Sequence, residues 1–272
     1  MPVFSVVVPA YNAASTLRET IEAVLAQEFQ DWELIVVDDG STDDTLRIAE
    51  GYASRDPRVR VLTQENRGSA GAYNTGAATA IGDLITICSA DDLLLPDHLR
   101  EMDALIHACS GYDIYSSNGY YLRENGSQSL VYDSDEWSSE RSLDLASVID
   151  CCFFSVGATY RRDLFRTTGG YREGIYGEDY DFWLRAMATG ARHRYTPRAL
   201  AVHRVSSTQK SAARVRVYES DIRTIRELAK DGLLSNAELS PRPPTARRLR
   251  QLRLNERQSP TPRPRAPQEP AG

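Results

Sequence analysis

Three acidic clusters give this chain its chemical character: Asp38-Asp39-Gly40-Ser41, Ser89-Ala90-Asp91-Asp92 and Gly177-Glu178-Asp179-Tyr180-Asp181. The first two follow apolar runs of strand length, LIVV at 34–37 and LITIC at 84–88. A parallel strand ends in a loop at its carboxyl edge, and that edge is where open α/β sheets bind ligands. Carboxylates gathered there repel one another unless a cation or a donor-rich ligand holds them. The chemistry they suit is binding of a metal-bound phosphate compound, with one carboxylate left to move a proton.

The other candidates stand where the same sheet edge would place them. After the first apolar run comes Pro9-Ala10-Tyr11-Asn12, with no GxGxxG glycines, which argues against a nicotinamide or flavin enzyme. Tyr11 suits stacking on a flat base and Asn12 suits a hydrogen bond; a plain turn with Ser15 as helix cap explains the same residues. In Asp38-Asp39-Gly40-Ser41-Thr42-Asp43, glycine permits a tight turn and Ser41 or Thr42 can cap a helix, but capping does not require two consecutive acids. A carboxylate there can accept from a base imide or a ribose hydroxyl, and Asp39 is the better placed. The run from Asn66 to Gly76 opens a helix with small residues. Its N–H groups favour a phosphate, or the small residues serve close packing on the sheet. Arg67 and Asn74 are the ligand candidates there, and no P-loop lysine is present. Asp91 and Asp92, with phosphate oxygens, make a hard oxygen site for Mg²⁺ or Mn²⁺.

The elements that must position these residues alternate. Strands are expected at 4–8, 34–37, 59–62 and 84–88, and helices at 15–26, 43–53, 70–80 and 96–108. A βαβαβαβ series implies a parallel, doubly wound sheet. Beyond it, strands are expected at 112–122, 153–160 and 199–205, and helices at 161–167, 178–189 and 212–231. Residues 123–150 are polar and read as an insertion.

With 272 residues, 41% hydrophobic and 26% charged, the chain fits one large domain or two small ones. The formal net charge is −6, yet from Pro241 onward there are eight arginines and eight prolines against two glutamates, so the preceding body is near −12. That acidic body argues against a nucleic-acid binder. The tail from about 235 is expected to be disordered, or its arginines to touch an acidic lipid surface. Cys88, Cys109, Cys151 and Cys152 form no zinc pattern. A reduced, cytoplasmic protein is expected, with no signal peptide and no run of about 20 apolar residues to span a membrane.

Taken in order, Pro-Ala-Tyr-Asn, Asp-Asp-Gly-Ser-Thr-Asp, Asn66-x-Gly68 with Asn74-Thr75-Gly76, Ala90-Asp91-Asp92-x-x-x-Pro96, Gly169-Gly170-Tyr171 and Gly177-Glu178-Asp179-Tyr180-Asp181-Phe182-Trp183-Leu184-Arg185 resemble the motifs of family 2 glycosyltransferases. The resemblance covers residues 3–205. It implies a GT-A fold, an α/β mostly parallel Rossmann-like sheet flanked by helices. The domain would span 1–234, with a nucleotide-binding half to about 110 and an acceptor half from 111. It also implies a nucleoside-diphosphate sugar donor, a UDP-sugar first among the candidates, a divalent Mg²⁺ or Mn²⁺, and inversion at the sugar carbon. Pro9, Tyr11, Asn12, Asp39, Arg67, Asn74 and Asp91 would bind the nucleotide-sugar. Asp91 and Asp92 would stand at ribose and metal, joined by His203. Asp179, beside Glu178, would be the base, and Gly169, Gly170, Tyr171 and Trp183 would shape a donor or acceptor loop. Ser89 departs from the pattern, since many relatives carry an acid there.

The resemblance leaves the acceptor as a carbohydrate, a lipid-linked molecule or a small molecule. Two other enzyme classes fit less well. A sugar-phosphate nucleotidyltransferase needs a Gly- and Lys-rich loop that residues 9–17 lack, and a processive synthase needs Gln-x-x-Arg-Trp and membrane spans. A catalytically impaired sugar-nucleotide binder differs from an enzyme in lacking metal-dependent donor hydrolysis.

Overall fold

The computed structural model describes residues 3–150, 156–206 and 214–234. The tail from 235, Cys151 and Cys152, and the first part of the strand expected at 153–160 lie outside the described residues.

The chain opens on β1 (Phe4–Ala10), α1 (Leu17–Leu25), β2 (Trp32–Asp38), α2 (Thr45–Ala53), β3 (Val59–Thr63), α3 (Gly68–Thr79) and β4 (Leu84–Ile87). β1 lies between β2 and β4, β3 flanks β2, and all of these pairs are parallel. Both faces of this sheet are covered, which is why its strands read as unbroken apolar runs. Val6 and Val8 of β1 face Leu17, Ile21 and Val24 of α1, whereas Val7 faces Ala72, Tyr73 and Ala77 of α3. The small residues of α3 serve packing: a side chain at Gly76 would collide with Val7 and Val37. Ser15 is not the cap of α1. The helix starts two residues later, with Thr16 at its N-cap and no capping bond from that side chain.

The second half contains β5 (Leu93–Leu94), α4 (His98–Ala108), β6 (Ile114–Arg123), β7 (Gln128–Leu130), α5 (Leu145–Asp150), β8 (Thr159–Arg161), α6 (Arg162–Thr168), α7 (Glu178–Ala188), β9 (His193–Val205) and α8 (Arg214–Lys230). The sheet order is β3-β2-β1-β4-β8-β6-β9-β5, with β7 on β6. Here the parallel pattern gives way. β8 is antiparallel to both β4 and β6, β7 to β6, and β5 to β9, while β6 and β9 are parallel. A tight turn joins β6 to β7, and such a connection makes only an antiparallel pair. The expected insertion at 123–150 therefore contains a strand and a helix, and the last strand begins at His193 rather than at 199. No helix among the described residues is long and apolar enough to cross a membrane.

Candidate active site

The carboxyl ends of β1, β2 and β4 bring the first two acidic clusters together. Asp39 N donates to Ala10 O at 2.8 Å, so the loops after β1 and β2 are tied side by side. Gly40 turns the chain at φ 75°, a backbone conformation that favours glycine. The Asp39 carboxylate then accepts from Gln64 Nε2 at 2.6 Å and from Arg67 N at 2.9 Å, at the entrance to α3. Asp38 is buried as well, and its Oδ1 has no hydrogen-bond partner among the described residues. Tyr11 projects with 53% of its surface exposed. Asn12 cross-links the two loops: its N–H donates to Ser41 Oγ at 3.0 Å and its Oδ1 accepts from Thr42 N at 2.9 Å. Pro9 is half-buried in β1.

The loop after β4 is anchored from three sides. Thr20 Oγ1 of α1 reaches the carbonyls of Ala90 at 3.0 Å and Asp92 at 2.9 Å. The Ser89 hydroxyl meets that of Tyr73 on α3. Asp92 is 1% exposed, and its carboxylate accepts from Arg204 N at 2.9 Å and bonds His203 Nδ1 at 3.2 Å, both on β9. Burial pushes the Asp92 carboxyl up against the opposing pull of His203. Burial disfavours the His203 charge, but the Asp92 hydrogen bond and the charges of Asp92, Asp91 and Asp179 outweigh it and raise the imidazole. Asp91 is half-buried beside this pair. Cys88 is buried, and burial followed by the charges of Asp92 and Asp91 holds its thiol well up, so it is an inert core residue.

The third cluster opens α7, where acids suit the positive end of the helix dipole. Glu178 is buried and accepts from Ser69 Oγ of α3, which ties the second half to the first. Asp179 is half-buried, and its Oδ1 accepts from Tyr180 N at 2.8 Å. The rest of the motif is framework. Asp181 is fully buried between Arg172 and Arg185, and Arg185 also donates to the carbonyls of Thr168 and Gly170 at 2.6 Å each. Tyr171 stacks between Tyr73 at 5.1 Å and Phe182 at 4.4 Å.

Several expected ligand contacts therefore have partners inside the protein. The Asn74 amide clamps the Tyr171 backbone in both directions at 2.8 Å. The Arg67 guanidinium pairs with Glu173 at 2.5 Å. Tyr171 and Trp183 are core residues, and Gly170 lies against Asn74 and Phe165. Gly169 ends α6 in the left-handed region. Sequence reasoning did not single out Ser69, Gln64 or Glu173, because their partners are distant in the chain or belong to no motif.

The sequence matches the model of the family described as glycosyl transferase family 2 over residues 5–168. The chain belongs to this family. It is 29% identical over 230 residues to an uncharacterized glycosyltransferase of Rickettsia typhi, covering 80% of this chain and 70% of that one. It is 32% identical over 192 residues to chondroitin synthase of Escherichia coli, covering 70% of this chain but 27% of the synthase. Among solved structures, Staphylococcus aureus TarS 1–349 in complex with UDP-GlcNAc superposes with a TM-score of 0.70 at 22% identity, over 84% of this chain and 66% of that chain. A mannosyltransferase from Pyrobaculum calidifontis in complex with GDP-Man and Mn²⁺ superposes with a TM-score of 0.67 at 21% identity, over 93% of this chain and 69% of that one. These likenesses bear out the GT-A fold, and family membership makes this glycosyl transferase an enzyme.

Among the described residues no group of three or more His, Cys, Asp or Glu side chains forms a ready-made metal cage. The donor set nonetheless fits a divalent ion that shares its shell with diphosphate oxygens and water. The Asp92 carboxylate fixes His203 through Nδ1, the arrangement by which a carboxylate orients a metal-binding imidazole.

Proposed function

We propose that this glycosyl transferase is an inverting, non-processive, metal-dependent enzyme. It would move a sugar from a nucleoside diphosphate, a UDP-sugar first among the candidates, to an acceptor hydroxyl. The observation that carries the reading is the bond between His203 Nδ1 of β9 and the buried Asp92 carboxylate after β4 at 3.2 Å, with half-buried Asp91 beside it. In this reading that strand-end group meets the leaving diphosphate, and the acids that open α7 meet the nucleophile.

In this reading Asp91 and His203 hold the metal, with Asp92 behind as the orienting partner. When bound, Mg²⁺ or Mn²⁺ supplies positive charge for the departing diphosphate. Tyr11 stacks on the base, and Asp38 at the end of β2 and Asp39 after it receive its donors and those of the ribose. Asp179 takes the proton of the acceptor hydroxyl as that oxygen bonds to the anomeric carbon from the face opposite the leaving group. The carbon passes through an oxocarbenium-like state, and a single displacement inverts it. A carboxylate of ordinary basicity suffices, because the hydroxyl becomes acidic as the bond forms. The donors bound by TarS and by the Pyrobaculum mannosyltransferase, UDP-GlcNAc and GDP-Man, support a nucleotide-sugar donor. The acceptor remains within the carbohydrate, lipid-linked and small-molecule classes, with peripheral membrane contact through the basic tail as part of the lipid-linked option.

A thermal-shift panel of UDP-, dTDP- and GDP-sugars with Mn²⁺ identifies the donor. With that donor, Asp179→Asn is expected to lose about 10²- to 10⁴-fold in kcat while donor affinity persists. Turnover retained at the wild-type rate would remove Asp179 from the base role.

A further inference from the structure

Asp221 lies on α8 with 9% of its surface exposed, and its Oδ1 has no hydrogen-bond partner among the described residues. Three polar residues near it on that helix are engaged. Ser220 Oγ accepts from Tyr176 N at 3.2 Å, Thr224 Oγ1 donates to Asp181 Oδ1 at 3.2 Å, and Glu227 takes Arg172 Nη1 at 2.8 Å. Positions 220, 224 and 227 share one face of a helix, and that stripe grips α7 and the segment leading into it. Asp221 stands beside Ser220, with Oδ1 against Gly177: a Cβ at position 177 would lie 2.9 Å from that oxygen. Gly177 is the N-cap of α7, two residues before Asp179. The glycine therefore makes room for an acid whose Oδ1 meets no donor among the described residues.

The surrounding charges are otherwise accounted for. On α7, the element packed against α8, Glu178 accepts from Ser69, and Asp181 is matched by Arg172 and Arg185. On α8 itself Glu227 pairs with Arg172, while Glu219 and Arg223 are exposed. Asp179 is the charge that bears on Asp221. Burial first, and then the Asp179 charge, push the Asp221 carboxyl up to about 7.

We propose that Asp221, a buried carboxyl group set against the N-cap of the helix that carries Asp179, is a positioning residue for the transfer and acts with Asp179 as one acid pair. The inference rests on Asp179 being the base. Two ionised carboxylates here would repel each other and the incoming diphosphate. A neutral Asp221 leaves one negative charge to meet the acceptor. When Asp221 does ionise, its charge raises the proton affinity of Asp179 and makes it a stronger base.

The test begins on the unaltered full chain, so it does not depend on a variant folding. Carboxyl ¹³C NMR is expected to show Asp221, assigned with Asp221→Asn, titrating near neutrality. In Asp179→Asn its midpoint should fall toward the ordinary carboxylate range. Ordinary titration of Asp221 in the unaltered chain overturns the proposal. The second readout is the pH profile of donor hydrolysis, measured as UDP released from UDP-glucose with Mn²⁺. The wild-type kcat should rise through neutrality by about three- to tenfold, the size expected when a general base strengthens by about one unit. Asp221→Asn mimics the protonated acid and should stay flat at the lower level with an unchanged donor KM. A variant profile that follows the wild type overturns the tuning and leaves Asp179 as base. Wild-type turnover in Asp179→Asn sinks the base assignment, and this proposal with it, through a separate measurement.

Discussion

Glu33 and Asp181 are both buried carboxylates, one in each half of the molecule, and they are held in opposite ways. Glu33 lies on β2, where it accepts from Ser5 Oγ at 2.6 Å and Ile81 N at 2.7 Å and meets the half-exposed Arg60 at 2.7 Å. Asp181 is fully buried between two guanidiniums, with Thr224 as a further donor. The first half fixes an acid mainly with neutral groups on a parallel sheet whose shape is already set by apolar strands. The second half, with mixed strand directions, uses paired charges to fix a loop and two helices around the start of α7. Asp181, Arg172 and Arg185 thereby position Asp179 without reaching it.

The largest effect is expected from Asp181→Ala. It leaves the largely buried Arg185 and the half-exposed Arg172 without their shared carboxylate, and removing one partner of such a network costs up to about 3–5 kcal/mol. The expected outcome is a lowered urea midpoint together with loss of transfer, since Gly170, Tyr171 and α7 lose their common anchor. A loss below about 1 kcal/mol would mean that the aromatic stack of Tyr73, Tyr171 and Phe182 orders this region without the charges.

Glu33→Gln should cost less, about 1–3 kcal/mol near neutral pH. Burial alone would raise the Glu33 carboxyl, but Ser5, Ile81 N–H and Arg60 together hold it below its ordinary value. A depressed carboxyl stabilises the fold fully above the unfolded value of about 4.3, and that stability is lost as pH falls through the lower folded value. The difference between wild type and variant should therefore shrink between neutral pH and about pH 3. A difference independent of pH would assign the contribution to packing and would erase the contrast with Asp181.

That contrast also explains what was legible in the sequence. Strands 34–37 and 84–88 were visible because burial on both faces leaves an unbroken apolar run, and their ends located Asp39 and Asp91. The turn at Gly40 was visible because its chemistry is local. The partners of the second half are far apart in sequence: Asp92 with His203, Ser69 with Glu178, and Asn74 with Tyr171. No spacing rule reports such pairs, so the internal partners of Asn74 and Arg67, the Tyr171 backbone and Glu173, were not legible in the sequence. β8 overlaps the strand expected at 153–160, but its antiparallel pairing with β4 and β6 in the middle of the sheet was not legible, because so short a strand carries no signal of direction. Asp221 carried no signal at all, since one acid in an amphipathic helix looks like any solvated charge.

The smallest effect belongs to an exposed ion pair between the halves. Arg67 and Glu173 meet at 2.5 Å with 49% and 40% of their side chains exposed. Water and salt screen such a pair, and exposed pairs contribute about 0–1 kcal/mol. A double-mutant cycle with Arg67→Gln and Glu173→Gln should give a coupling energy in that range, falling further as salt is added. Asp39 accepts from the backbone N–H of Arg67, so neither substitution removes that bond. Donor affinity in Arg67→Gln should then stay within a fewfold of wild type if the guanidinium serves only Glu173. A large loss of affinity in Arg67→Gln, absent from Glu173→Gln, would show that the donor recruits Arg67 away from Glu173. The contrast between a first half that binds and a second half that braces would then move to this residue.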